Sequence, residues 1–253
     1  MKAMIFAAGL GTRLKPLTDT MPKALVPLAG KPLLQWQVEK LRDAGITDII
    51  VNVHHFPDMI IDAVRANNGW GCNITISDER DCLLDTGGGL KKALPLISNP
   101  LTPNPVLACN VDILSNIDLR ALIAEYERTG VSQLVVSERQ TQRYLLFDEE
   151  GLLRGWTNIA TGEVKGRDGR HLAFSGMQIL SPEALTLLQQ YPAAKFSLID
   201  FYLSLCEKQM SNDKCQMTNL QAFIPNAYKM MDVGKIDQIA EAESFAESLS
   251  NKK

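Results

Sequence analysis

The sequence predicts an α/β fold, a Rossmann-like doubly wound sheet that is mostly parallel and carries helices on both faces. Three observations point to it. Short apolar runs of strand length alternate with stretches of helical period, the pattern of parallel strands joined by crossover helices. The first run, Met4-Ile-Phe-Ala-Ala8, breaks at Gly9 and Gly11, where a backbone can turn sharply or approach a ligand closely. Hydrophobic residues make up 45% of the 253, enough for one substantial core.

Taken in order, the first run is a buried strand and residues 33–44 are a helix. That helix places Leu33, Leu34, Trp36, Val38 and Leu41 on one face and ends at Gly45. Asp48-Ile-Ile-Val-Asn-Val53 is a second buried strand, followed by helix over 57–66, strand over 72–77, helix over 90–97 and strand over 106–109. Asp118 suits the N-cap of a helix reaching about Thr129. Residues 133–137 form a further strand, and 144–156 a hairpin turning at Glu150-Gly151. Residues 166–170 read as an exposed loop and 171–180 as a strand containing Gly176. Ser181 caps a helix over 181–191 with Pro182 in its first turn. A helix over 196–206 turns Phe196, Ile199, Leu203 and Cys206 inward, and a strand over 220–224 leads to Met231-Asp-Val-Gly234. Ile236, Ile239, Phe245 and Leu249 mark a closing helix. Its apolar strip serves either the core or a homodimer contact, and the core is the simpler reading. The tail Ser250-Asn-Lys-Lys253 reads as disordered.

Composition excludes several partners. With 22% charged residues and a net charge of −3, no basic field calls for nucleic acid or an anionic membrane. Any anion site must be local. The five cysteines, Cys72, Cys82, Cys109, Cys206 and Cys215, include no C-x-x-C pair and read as core residues. Neither a signal peptide nor an apolar stretch of membrane-spanning length is present, so a soluble cytoplasmic protein is expected.

Ligands of such sheets sit at the carboxyl ends of the strands, where Gly9, Asn110 and Asp112 fall. Backbone N–H groups of a glycine loop form a concave surface for phosphate oxygens, and Arg13 and Lys23 add cations suited to a triphosphate. The Walker pattern is missing, and the dinucleotide fingerprint fails at Leu14. A Gly-x-Gly taken alone also serves a tight strand-to-loop turn. Asp85-Thr-Gly-Gly-Gly-Leu90 is a second glycine-rich loop that opens a helix. It is either a flexible turn or a side-chain-free wall against which a base could pack. Asp112, at the tip of Leu107-Ala-Cys-Asn-Val-Asp112, is the hard oxygen ligand that Mg²⁺ takes beside phosphates, or else a turn residue. His54 and His55 leave a strand on opposite sides without a third ligand and read as structural, and the isolated His171 reads as structural or exposed.

The string Ala7-Ala-Gly-Leu-Gly-Thr-Arg-Leu-Lys-Pro-Leu-Thr18, then Pro22-Lys-Ala-Leu-Val-Pro27 and Gly30-Lys-Pro32, resembles the signature of the sugar-1-phosphate nucleotidyltransferases. Thr86-Gly-Gly-Gly89 is most similar to the members that transfer a uridylyl group to N-acetylmuramate 1-phosphate. The resemblance implies transfer of a nucleotidyl group from a nucleoside triphosphate to a sugar 1-phosphate, with pyrophosphate leaving and Mg²⁺ as cofactor. It assigns Ala8, Gly9, Gly11, Thr12 and Asn110 to the nucleotide, and Thr86, Gly87 and Gly88 to the base. Arg13 would stabilise the departing pyrophosphate, and Lys23 would hold the α-phosphate or the attacking sugar phosphate. Asp112 and Asp232 of the Asp-Val-Gly turn would bind the metal. Gly176 would admit the sugar. Lys165 of Glu163-Val-Lys165 stands nearest to the family's Glu-Lys-Pro lysine, which is missing here. Lys235, where many relatives have Thr, reads as solvated. The chain is expected to be one domain over 1–253, with a nucleotide part to about 130, a sugar-phosphate part over 131–235 and the closing helix over 236–249.

Overall fold

The computed structural model describes residues 1–97, 104–211 and 219–250. Strand β1 (Lys2–Phe6) runs into the glycine loop, and a short ribbon of β2 (Pro27–Leu28) and β3 (Lys31–Pro32) leads to helix α1 (Leu33–Asp43). Gly45 follows α1 at φ +89°, and its N–H donates to the Arg42 carbonyl as expected of a glycine stop. Then come β4 (Asp48–Val53), α2 (Pro57–Ala66), β5 (Asn73–Asp78), α3 (Asp85–Ile97) and β6 (Val106–Asn110). β1 lies between β4 and β6 and β4 beside β5, all parallel. Side chains alternate along β1: Ala3 and Ile5 join the core that holds Leu33 and Leu34 of α1 and Ile60 of α2, whereas Met4 and Phe6 join the core that holds Leu90 and Ala93 of α3. Both faces are therefore covered, which is why these strands read as continuous apolar runs.

The second half continues the sheet mainly with antiparallel pairs. After β7 (Ile113–Ser115) and α4 (Leu119–Thr129) come β8 (Ser132–Ser137), the hairpin β9 (Arg143–Phe147) and β10 (Leu153–Asn158), β11 (Glu163–Gly166) and β12 (Arg170–Leu180). Asp118 caps α4 by accepting from the N–H groups of Arg120 and Ala121. The hairpin turns at Gly151, φ +75°, as expected. The order is β11-β10-β9-β12-β6-β1-β4-β5, with β8 also paired to β12 and β13 (Leu220–Phe223) paired parallel to β8. β11 was not foreseen, because Glu163, Val164, Lys165 and Gly166 are all exposed and show no period. The chain ends with α5 (Pro182–Gln189), capped by Ser181, then α6 (Leu198–Ser211), β13 (Leu220–Phe223), β14 (Met230–Asp232) and α7 (Ile239–Ser250). α6 begins two residues later than expected and buries Leu198, Phe201, Tyr202 and Leu205 rather than Ile199. Ala242 and Ala246 of α7 are fully buried on the core and Ile239 and Phe245 pack partly buried against it, whereas Ile236 precedes the helix and is exposed. Residues 251–253 of the tail and Cys215 lie outside the described residues.

Helix α3 corrects one expectation. It starts at Asp85, so Gly87, Gly88 and Gly89 are buried helix residues and not a loop. Their lack of side chains serves packing: a carbon on Gly88 would come within 2.3 Å of the Ala194 carbonyl oxygen, and one on Gly87 within 2.4 Å of the Phe196 ring. The N–H groups of Gly87 and Gly88 both donate to the Phe196 carbonyl, at 2.9 and 3.2 Å. Gly88→Ala is expected to destabilise the chain by about 1–2 kcal/mol, the strain of overpacking a backbone contact exceeding a helix-propensity gain of about 1 kcal/mol. Thermal unfolding should report a midpoint lower by roughly 2–8 °C, and an unchanged midpoint would refute this account of the triplet.

Candidate active site

A cavity of about 560 Å³ opens at the carboxyl ends of β1, β4 and β6. One wall is the chain from Phe6 to Arg13. The floor holds Lys23, Asn52, Asn110 and Asp112, and the opposite wall Leu83, Asp85, Thr86 and Lys195. Gly9 and Gly11 are glycines for different reasons. Gly11 has φ +65°, and a side-chain carbon there would lie 2.8 Å from the Thr18 methyl, while Thr18 Oγ1 donates to the Gly11 carbonyl at 2.8 Å. Nothing in the protein lies within 4 Å of such a carbon on Gly9. Protein packing thus demands Gly11 but not Gly9, and Gly9 leaves open space on the cavity side of the loop.

The four charged residues expected at the chemistry do come together. Lys23 Nζ donates to Asp112 Oδ2 in a pair whose side chains are only 10% and 18% exposed. Across the antiparallel pair of β7 and β14, Asp232 stands opposite Ile113, and the Val233 N–H donates to the Asp112 carbonyl at 2.9 Å. This ladder joins residues more than a hundred positions apart. Arg13 Nη2 lies 3.7 Å from Asp232 Oδ2, both side chains being about half exposed at 60% and 47%. Two cation–carboxylate pairs, Lys23 with Asp112 and Arg13 with Asp232, are thus joined at the ladder of β7 and β14, a set that could hold a divalent cation together with phosphate oxygens.

Of the residues expected at the nucleotide, Ala8, Gly9, Gly11, Thr12, Thr86 and Asn110 line the cavity. Gly87 and Gly88 do not, since their N–H groups are engaged by Phe196. Gly176, φ +66°, sits where the register of β12 against β8 shifts, and a side-chain carbon there would lie 2.7 Å from Asn110 Nδ2. It is a bulge that lets the Asn110 amide fit beside β12. Lys165 stands elsewhere: β11 is the far edge of the sheet, four strand positions from β6, and its ammonium pairs with Glu163 at 3.3 Å over the Trp156 ring. His54 and His55 each meet the backbone, with Nδ1 of His54 2.7 Å from the Glu79 carbonyl and Nε2 of His55 3.1 Å from that of Thr18. Lys235 is exposed.

Three groups were missed, Lys195 and Asn52 in the cavity lining and Glu79 behind Asn52. Lys195, an exposed residue of the connection between α5 and α6, reaches the cavity because the Phe196 N–H donates to the Leu84 carbonyl and the Leu198 N–H to Thr86 Oγ1. Nothing local in the sequence marks it. Asn52 and Glu79 are 2% and 1% exposed. The asparagine inside the apolar run Ile49-Ile-Val-Asn-Val53 was the legible signal, because a polar residue in a buried strand needs a partner. Burial pushes the Glu79 carboxyl above its ordinary range, against hydrogen bonds from Asn52 and Leu84 that pull it down.

Among the described residues no helix is long and apolar enough to cross a membrane. The family model for nucleotidyl transferases matches residues 2–248. The chain is 45% identical over 247 residues to the N-acetylmuramate α-1-phosphate uridylyltransferase of Neisseria meningitidis, covering 97% of this chain and 98% of the relative. It is 35% identical over 214 residues to the enzyme of the same name from Caulobacter vibrioides, covering 80% and 83%. Among solved structures, HddC from Yersinia pseudotuberculosis complexed with GMP-PN superposes with a TM-score of 0.72 at 26% identity, over 97% of this chain and 99% of that one.

Proposed function

The chain belongs to the nucleotidyl transferase family, and from that membership we propose that it transfers a uridylyl group from UTP to N-acetylmuramate α-1-phosphate. The observation that carries the choice of substrates is the 45% identity, over nearly both whole chains, to the Neisseria enzyme of that name. In the proposed reaction a phosphate oxygen of the sugar 1-phosphate attacks the α-phosphorus of UTP. The bond between the α-phosphorus and the bridging oxygen breaks, and pyrophosphate leaves.

No side chain need form a covalent intermediate, so the protein's work is positioning and charge neutralisation. The loop from Ala8 to Thr12 cradles the triphosphate through backbone N–H groups, with Gly9 letting the phosphates approach. Arg13 neutralises the departing pyrophosphate, and Lys23 holds the α-phosphate region from the cavity floor. Asp112 and Asp232 fit Mg²⁺ in number and chemistry: two hard carboxylates, leaving other positions to water and phosphate oxygens. When bound, Mg²⁺ supplies positive charge against the phosphoryl oxygens. Thr86 and Asn110 face the nucleotide, and Lys195 adds a cation at the cavity. The nucleotide is assigned to residues up to about 130 and the acceptor to 131–235. The setting proposed for this reaction is cytoplasmic.

A grid of UTP, GTP, CTP, dTTP and ATP against the 1-phosphates of N-acetylmuramate, N-acetylglucosamine, glucose, mannose and heptose tests the reading by pyrophosphate release. Release is expected with UTP and N-acetylmuramate 1-phosphate, and its loss on chelation by EDTA. Release confined to GTP with mannose or heptose 1-phosphate would replace the substrates while keeping the reaction class.

A further inference from the structure

We propose that Asn52 and Glu79 form a buried strut that sets the distance between the two walls of the nucleotide cavity, with Glu79 a positioning residue that touches no ligand. The inference rests on the reading that this cavity takes a nucleoside triphosphate. One wall begins at Ala7, whose N–H donates to Asn52 Oδ1 at 2.7 Å. Asn52 Nδ2 donates to Glu79 Oε1 at 2.7 Å, and Glu79 Oε2 accepts from the Leu84 N–H at 3.3 Å. Leu84 lies between Leu83 and Asp85, which line the opposite wall. A continuous chain of hydrogen bonds thus runs from the root of the glycine loop to the segment that faces it.

The strut is fixed at its base. The Glu79 N–H donates to the Val53 carbonyl at 2.7 Å, and its own carbonyl accepts from the Cys82 N–H at 3.0 Å and meets His54 Nδ1 at 2.7 Å. Gly89 makes room for it, since a side-chain carbon there would lie 2.7 Å from Glu79 Oε1 and 2.9 Å from Asn52 Nδ2. The residue types follow from the donors. Two N–H groups point at residue 79 from opposite sides, and only a carboxylate accepts at both of its oxygens; an amide would turn its NH₂ against one of them. A carboxylate this deeply buried is costly, and an apolar pair of similar volume would stabilise the fold at least as well. What the pair adds is direction: an amide carbonyl locking Ala7 and a carboxylate locking Leu84 through one rigid link.

The experiment compares Glu79→Gln, Asn52→Asp and the double variant with the wild type, reading KM for UTP, kcat and thermal unfolding. Each single variant sets two like groups against each other in the strut and is expected to raise KM for UTP about ten-fold, the cost of one unmade buried hydrogen bond. Glu79→Gln should change kcat by less than about three-fold, the pattern of lost binding rather than lost transition-state contact. The double variant restores every bond with one donor reversed. The new aspartate accepts from Ala7 and from the new glutamine amide, whose oxygen accepts from Leu84. KM should return to within about three-fold of wild type, a non-additive rescue that marks coupled residues. The proposal is overturned if the single variants keep the wild-type KM, whatever happens to their unfolding temperature, or if the double variant shows the product of the single effects. A wild type that releases no pyrophosphate with any triphosphate refutes the reaction instead, so the two failures are distinct.

Discussion

Asp112→Asn is expected to lower turnover by about 10²–10³, roughly 2.7–4 kcal/mol of transition-state stabilisation. The size follows from where Asp112 stands. It closes the buried run from β6, lines the cavity, pairs with Lys23 and lies beside Asp232 across the ladder of β7 and β14. Loss of its charge removes half of the carboxylate pair proposed for Mg²⁺ and frees Lys23 from its counter-ion at the same time. The fold should survive, because asparagine is isosteric and keeps an oxygen toward Lys23 Nζ. The lost ionic part of this little-exposed pair costs about 1–3 kcal/mol, a few degrees of unfolding temperature. Pyrophosphate release and thermal unfolding on one preparation separate the two effects. Retention of most of the wild-type rate would remove Asp112 from the chemistry.

The features legible in the sequence share a cause: their physics is local. Strand β1 and its glycine loop are written in consecutive residues, as are the Asp118 and Ser181 caps, the Gly45 stop and the Gly151 hairpin. The doubly wound plan was also legible, since strands buried on both faces must be apolar throughout. The antiparallel continuation was not, because β12 pairs with β6, β8 and β9 through choices of neighbour that no single segment encodes.

The misplaced site residues failed for the same reason in reverse. Thr86-Gly-Gly-Gly89 has the composition of a ligand-contacting loop, yet Gly87 and Gly88 are set by the backbone of Ala194 and Phe196, more than a hundred residues away. Lys165 had the right sequence neighbourhood, but strand order carries it to the far edge of the sheet. Lys195 had no motif, and the pairing of residues 84 and 196 brings it to the cavity. Gly176 sits at a bulge of β12 against Asn110, as one of its two readings had it.

Arg13→Ala is expected to lower turnover by about 10²–10³ as well, and here stability should stay put. The Arg13 and Asp232 side chains are 60% and 47% exposed and 3.7 Å apart, a solvent-screened pair. Such pairs contribute about 0–1 kcal/mol to folding. The ion pair therefore gives no stability reason for the arrangement. A side-chain carbon on Gly234, which lines the cavity with Arg13, would lie 2.9 Å from Arg13 Nη2 and 2.7 Å from Asp232 Oδ1, so a larger residue there would displace the ends of both side chains. A guanidinium suits pyrophosphate because its planar fork donates two parallel hydrogen bonds. Two consequences separate this role from general charge. Arg13→Lys, which keeps the charge and loses the fork, should recover only part of the rate. In the reverse direction, with UDP-sugar and pyrophosphate as substrates, Arg13→Ala should raise KM for pyrophosphate far more than KM for the UDP-sugar. Equal effects on both would place Arg13 on the nucleotide as a whole, and a full rate in Arg13→Lys would reduce its part to charge alone.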